Sequence, residues 1–300
     1  MATNSTATLP DEILTIYSYE AILEAQPLFT FRNFVDVKEE AMVEPGNTIQ
    51  FLKLDNIAKG QRLANEFTKV PRQLLSTSTV NIVMYEFANA VEFTRYLTQS
   101  SYRDVLQDGA VLLGRDYAQV LDDYLRDAYL ATSNVQYAGG AGNDAGISTT
   151  SYFNTAEIKD AVESLKTMNA PMMYRGGDAF YVCVAHPHQL RKLRDDTAWQ
   201  RAREYVDPSN IYRGEVGRYE NVIFIETTQM PTTASAINGG TGTAYSASMF
   251  GEKVVGYGES VPMELVTDGP ADFGRHLSLG WYGIWGAGII NDYAIEIRTA

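Results

Sequence analysis

Apolar and polar positions alternate with a period of two along Thr48-Ile49-Gln50-Phe51-Leu52-Lys53-Leu54, the pattern of a half-buried strand. A second run of strand-forming residues begins near Ser76 and continues from Thr79 to Phe93. The two runs predict a long hairpin over 46–93, opened by Gly46. Its tip, Asp55 to Pro71, is long and polar for a connection inside a compact domain, which marks it as a projecting loop. From 94 to 133 the period changes. Leu106, Ala110, Leu113, Tyr117, Val120, Leu121, Tyr124 and Ala128 recur at steps of three and four, which places them on one stripe of a helix. Asp104, Asp108, Arg115, Gln119, Asp122 and Arg126 fall opposite. The helix is expected to run about 30 residues, or roughly 45 Å at 1.5 Å per residue. Gly109 and Gly114 can bend it or admit a close neighbour.

A glycine-rich break, 134–153, separates this rod from a mixed segment. Asn154, with Glu157 three residues on, starts a second helix carrying Ile158, Ala161, Val162, Leu165 and Met168, and Pro171 ends it. Phe180 to Ala185 is a continuous apolar strand. Pro187 opens a short helix with Leu190 and Leu193. A strand at Val222–Ile225 precedes the Thr-, Ser- and Gly-rich stretch 227–243, read as a mobile loop. Glycine-separated strands follow to the end, closing with the alternating run 293–298. Residues 1–45 mix small polar residues with apolar anchors such as Ile13, Leu28, Phe29, Phe31 and Phe34, and read as an extended arm. This order is not the βαβ rhythm of a doubly wound enzyme.

Composition narrows the function. The 300 residues carry 37 acidic and 24 basic side chains, a net charge of −13, the reverse of what a nucleic-acid grip shows. Only 154–230 is near neutral. The single cysteine, Cys183, sits in the apolar strand and reads as a small buried hydrophobe, compatible with a reducing cytosol. No stretch approaches the roughly 20 apolar residues of a membrane helix, and the polar N-terminus is not a signal peptide.

The candidate chemistry is thin. The run Gly139 to Gly146 lacks the spacing and the lysine of a phosphate loop. His186 and His188 flank a proline, with His276 the only other imidazole, so a start of a helix suits them better than a metal site. Arg191, Lys192, Arg194, Arg201 and Arg203 form a basic cluster beside Trp199, but Asp195 and Asp196 lie within it, which favours a charged interface over nucleic acid. No catalytic, cofactor or metal site is expected.

One segment carries a resemblance. Residues 182–228 read VCVAHPHQLRKLRDDTAWQRAREYVDPSNIYRGEVGRYENVIFIETT, a strand running into His-Pro, a Leu-Arg-Asp-Asp helix end, a Trp, then Gly214-Glu215-Val216-Gly217-Arg218 and a strand ending Glu226-Thr227-Thr228. With Gly286-Ala287-Gly288-Ile289-Ile290-Asn291-Asp292 and the final strand, it resembles the major capsid proteins typified by the podovirus N-four. The resemblance implies an α+β, Hong Kong 97-type capsid fold: N-terminal arm 1–45, extended hairpin loop 46–93, peripheral domain 94–153 and 245–300 around a long spine helix, and axial domain 154–244. It implies a major capsid subunit of a tailed phage, self-assembling as hexamers and pentamers into an icosahedral shell in the host cytoplasm. A separate scaffolding protein, a portal and a decoration protein would be its partners. Contacts to sister subunits are expected from Lys53, Lys59, Arg62, Glu66, Lys69 and Arg72 on the extended loop. On the axial domain they are expected from Arg191, Arg194, Trp199, Arg201 and Arg203. The acidic helix face, Asp104, Asp108 and Asp122, would look toward the interior and leave packaged DNA loosely held. An encapsulin-like nanocompartment shell remains open as an alternative, and a soluble enzyme is the more distant one.

Overall fold

The computed structural model describes residues 29–38, 47–54, 57–60, 62, 69–70, 72–175, 177–204 and 217–300. Fourteen strands appear among them: β1 (Asp36–Lys38), β2 (Thr48–Leu54), β3 (Thr77–Val83), β4 (Tyr85–Thr94), β5 (Val135–Tyr137), β6 (Met173–Arg175), β7 (Asp178–Ala185), β8 (Arg218–Tyr219), β9 (Val222–Glu226), β10 (Thr232–Ile237), β11 (Gly242–Phe250), β12 (Val255–Ala271), β13 (His276–Ile289) and β14 (Ala294–Thr299). Five α-helices accompany them: α1 (Arg95–Ser100), α2 (Val105–Leu130), α3 (Thr155–Thr167), α4 (Pro187–Arg194) and α5 (Thr197–Glu204). The fold class is α+β, as the sequence indicated.

The rod over 94–133 is two helices. Thr94 caps α1 with its hydroxyl on the Leu97 amide, and α1 ends at Ser101. Asp104 then restarts the chain, its Oδ1 accepting from the Leu106 and Gln107 amides at 3.1 and 3.3 Å. The 26 residues of α2 span about 39 Å. Gly109 is a site of close approach. A Cβ there would sit 2.5 Å from the Phe93 ring, so the absence of a side chain lets β4 lie against the helix.

Strands form two main sheets. The first runs in the order β1-β12-β13-β4, with β13 paired antiparallel to β4 from His276↔Thr94 to Trp285↔Tyr85. The second runs β5-β14-β11-β7-β9-β8, with β10 on β11 and β6 on β7. The stretch 227–243, read as loop, therefore contains a strand. The segment 232–237 pairs with β11, and its one large apolar residue, Ile237, is buried at the end of the strand. The C-terminal strands are divided between the two sheets. β12 and β13 build the first sheet, but β11 and β14 complete the second. β7 lies inside the second sheet between β11 and β9, and a core covers each of its faces, which is why its apolar run is unbroken. Tyr181, Cys183 and Ala185 enter one core with α3, α4 and Trp199. Phe180, Val182 and Val184 enter the other, against α2. Cys183 is fully buried, and burial pushes its thiol far above the usual range, so it is inert packing.

That second core joins the two sheets. The α2 side chains Leu113, Tyr117, Leu121, Leu125 and Tyr129 pack against Trp281, Trp285 and Tyr257 of the first sheet and against Phe250, Val182 and Val184 of the second. Asp116 reinforces the seam, its Oδ2 accepting from Trp281 Nε1 at 2.9 Å and from Asn89 Nδ2 at 2.8 Å.

Asp122 departs from its expected position. It is buried at 1% exposure among the packed residues of α2, not on an open acidic face. Its Oδ1 accepts the successive amides of Thr30, Phe31 and Arg32 at 3.0, 2.7 and 3.4 Å. The chain there has turned into the short helix Arg32–Phe34, whose first amides need acceptors, and the carboxylate supplies one. Phe31 and Phe34 follow into the core beside Tyr129 and Phe250. Tyr129 donates its hydroxyl to the Phe34 carbonyl at 2.8 Å. Burial raises the Asp122 carboxyl above the ordinary range, and the three amide donors offset part of that rise. The Asp122→Ala variant removes the acceptor shared by these amides and is expected to cost roughly 3 kcal/mol, against a smaller loss for Asp122→Asn, which keeps a carbonyl oxygen there. Urea unfolding midpoints of the two variants check the order.

Candidate assembly surface

β2 and β3 pair antiparallel in register from Thr48↔Val83 to Leu54↔Thr77 and form a two-stranded sheet of their own. The predicted hairpin is thus present over 48–83, whereas β4 leaves it to join the first main sheet. The root of the hairpin is firmly seated. Ile49 and Ile82 are buried at 4% and 5% exposure. Glycines of the first sheet make room for them. A Cβ at Gly286 would lie 2.6 Å from the Val83 carbonyl oxygen, and one at Gly256 would lie 2.7 Å from the Phe51 ring. Lys38 Nζ donates to the Gln50 carbonyl at 2.8 Å, tying the same root to β1.

Beyond the root, the hairpin leaves its own subunit with little to pack on. Leu52, Leu54, Ile57, Val70, Leu74 and Leu75 are all exposed, the last two at 94% and 81%. Gln73 Nε2 donates to the Ala58 carbonyl at 3.2 Å and draws the two sides of the tip together. Of the expected contact residues, Lys59, Arg62, Lys69 and Arg72 are exposed here and Lys53 is half-buried; Glu66 lies outside the described residues. Leu74 and Leu75 were missed in the sequence, where they fall between the polar tip, Asp55 to Pro71, and the return run from Ser76. The signal was Leu74-Leu75, two adjacent large apolar residues in a connection whose own domain offers them no core. Magnitude favours them over the cations. A fully covered leucine contributes about 1.5–3 kcal/mol, an exposed ion pair about 0–1.

The axial candidates are divided. Arg191 is exposed, and Arg194 pairs with Glu226 at 2.9 Å. Trp199 is not on the surface. At 2% exposure it is packed edge-on against Phe224, with ring centroids 5.3 Å apart, and beside Tyr219. Gly217 has a φ of +117°, and a Cβ there would lie 3.2 Å from the indole, a dihedral and a closeness that suit glycine. The side chains of Arg201 and Arg203 lie outside the described residues. On the helix expected to face inward, Asp104 is an exposed cap and Asp108 pairs with Arg103 at 3.0 Å.

His186 and His188 start a helix. The His186 Nδ1 accepts the His188 amide at 3.1 Å, and the Gln189 side chain returns to the His186 amide at 3.2 Å, a closed capping box. Tyr245 stacks on His188 with ring centroids 4.4 Å apart. The described residues hold no cluster of three or more groups that could bind a metal. Their hollows are open ones, such as the 430 Å³ depression lined by Lys159, Lys166 and Glu220. No described helix is long and apolar enough to cross a membrane.

Residues 124–256 match the family model described as phage capsid protein. No curated protein sequence matches the chain. Among solved structures, the capsid of Ralstonia phage GP4 superposes with a TM-score of 0.79 at 16% identity, covering 99% of this chain and 98% of that one. The cyanophage Pam1 capsid gives 0.73 at 14% identity, covering 89% and 88%. The head of the Helicobacter pylori bacteriophage KHP40 gives 0.71 at 15%, covering 100% and 99%.

The hairpin root and the His186 cap can each be tested by substitution. Gly286→Val places a side chain against the Val83 carbonyl and is expected to lift the hairpin root at a cost of about 1–3 kcal/mol. Faster trypsin cleavage between Lys53 and Arg72 in the variant checks it. Burial holds His186 below the ordinary imidazole range, and the nearby charge of His188 adds to this. The neutral ring therefore contributes stability present above its unfolded value and lost as pH falls through the folded one, when Nδ1 gains a proton and can no longer accept. His186→Asn keeps an acceptor that does not titrate, so the loss of thermal stability between pH 7.5 and 5 is expected to shrink in this variant. Thermal denaturation at both pH values measures the difference. The chain has the Hong Kong 97-type fold of the phage capsid proteins, and its residues 124–256 carry the pattern of that family.

Proposed function

We propose that this chain is the major capsid subunit of a tailed phage, and that its copies close into the icosahedral shell around the double-stranded DNA genome. The observation that carries the reading is the seated hairpin with a bare apolar tip: Leu52, Leu54, Ile57, Val70, Leu74 and Leu75 exposed on a projection whose root is buried. Apolar side chains in such a row are unfavourable on a solitary soluble chain and favourable when a neighbouring copy covers them. A contact made by one face of the subunit on a different face of the next is heterologous, and rotation then closes rings. The capsid and head structures that share the fold support the same use.

In this reading the extended loop lies across an adjacent subunit, with Lys59, Arg62, Lys69 and Arg72 flanking the apolar row, and Arg191 and Arg194 line contacts of the axial domain. Hexamers and pentamers are the rings. A scaffolding protein, a portal and a decoration protein complete the particle, which assembles in the host cytoplasm and becomes the virion shell. The net charge of −13 keeps the wall from gripping packaged DNA. Asp104 and Asp108 remain as candidates for its inner surface.

Electron microscopy of the overexpressed protein is expected to show closed shells, rings or tubes. The double variant Leu74→Asp, Leu75→Asp changes two exposed side chains, so its thermal midpoint is expected to stay near that of the parent, while shells disappear. Shells of normal yield from that variant, or a monodisperse monomer from the parent even with a scaffold supplied, would refute the reading.

A further inference from the structure

On the α2 side of the second sheet, the strands nearest its β8 edge are incompletely covered. Phe180 and Val182 of β7 and Ile223 and Ile225 of β9 form the floor of a hollow of 360 Å³, with Phe34 as one wall. Arg175, Asp178 and Arg218 stand on its rim. Arg218 pairs with Asp178 at 2.9 Å, so Arg175 leaves the rim with a net positive charge in an acidic chain. An apolar floor under a cationic rim fits an apolar segment that carries carboxylates.

Residues 1–28 have that composition. They hold Asp11, Glu12, Glu20 and Glu24 and no lysine, arginine or histidine, with Ile13, Leu14, Ile16, Tyr17, Ile22 and Leu23 between the acids. They also end beside the hollow. The described arm starts at Phe29, is fixed by Asp122 at residues 30–32, and reaches the hollow wall at Phe34. The five residues 25–29 that link positions 9–24 to the Asp122 anchor span at most about 17 Å at 3.3 Å each, which keeps the segment beside the hollow. A tether this short holds the segment at an effective concentration in the millimolar range.

We propose that, in the free subunit, the acidic and apolar segment 9–24 docks in cis into this hollow. It covers Ile223 and Ile225 and sets its carboxylates against Arg175. The inference stands apart from the shell reading, since it concerns the subunit before any contact with another copy.

The test uses the full chain, dilute and unassembled, with Arg175→Cys combined in turn with Ser5→Cys, Ser18→Cys or Ala25→Cys. After mild oxidation, peptide mapping by mass spectrometry identifies the disulfides. Cys183 is buried and serves as an internal control. The expected result is an intrachain link that is several-fold more abundant from position 18 than from 5 or 25. Adding Ile223→Asp, which spoils the apolar floor, is expected to bring the three yields together. If that variant misfolds, Arg218→Ala in its place keeps the floor and removes a rim charge, with a smaller effect. Equal yields at all three positions in the parent background overturn the proposal, as do links found only between chains. Neither outcome bears on whether the protein forms shells, which microscopy reads separately.

Discussion

One helix serves as the wall of two sheets, and the rest of the molecule depends on that packing. Leu113, Tyr117, Leu121, Leu125 and Tyr129 of α2 bury the tryptophans of the first sheet and the β7 and β11 side chains of the second in a single apolar core. Fully buried aromatic and leucine side chains contribute about 1.5–3 kcal/mol each, more than any surface pair in the structure can supply. Because the two sheets share that wall, a shift in one is felt in the other. The arm is tied to the same wall through Asp122, so three separate regions of the sequence take their positions from one rod.

This arrangement explains where polar groups had to be placed with care. A carboxylate inside an apolar face is costly unless its charge finds donors. Asp122 finds three successive amides, and those amides are ones a short helix would otherwise leave unsatisfied. Asp116 does similar service for an indole and an amide side chain at the other sheet. Asp122 looks, on a helical wheel, like part of a solvated face.

That resemblance is why part of the structure was legible in the sequence and part was not. The strand period over 48–54, the helix stripe from Leu106 to Ala128 and the Asn154 cap follow from local rules, and each lies in an element of the expected type. Capping by His186 was legible because Pro187 fixes the first turn. Burial of Asp122 and Trp199 was not, since each depends on a partner distant in sequence: the amides of 30–32 for one and the Phe224 ring for the other. The break at Ser101–Asp104 was missed because the apolar stripe, which starts at Leu106, does not mark where the helix begins, whereas the Asp104 cap does. For the assembly surface, the sequence marked the projecting loop by its length and its cations. It marked Leu74 and Leu75 only by their adjacency within a connection, because exposure is a property of the finished fold.

The seating of the hairpin bears on how such a surface can work. A two-stranded hairpin alone is marginal in water, and a flexible one would lose conformational freedom each time it was covered. Here Ile49, Ile82 and Phe51 fix the root against strands kept bare by Gly256, Gly286 and Gly288, so most of that ordering is complete before any partner arrives. What remains for a partner to order is the short apolar end. A contact that begins with a fixed strand pair can rest on modest area and still be specific, because the direction of approach is set by the subunit that presents it. The same seating excludes the simplest way to hide the row within one chain: folding the hairpin back on its own sheet would pull Ile49 and Ile82 from the core that holds them.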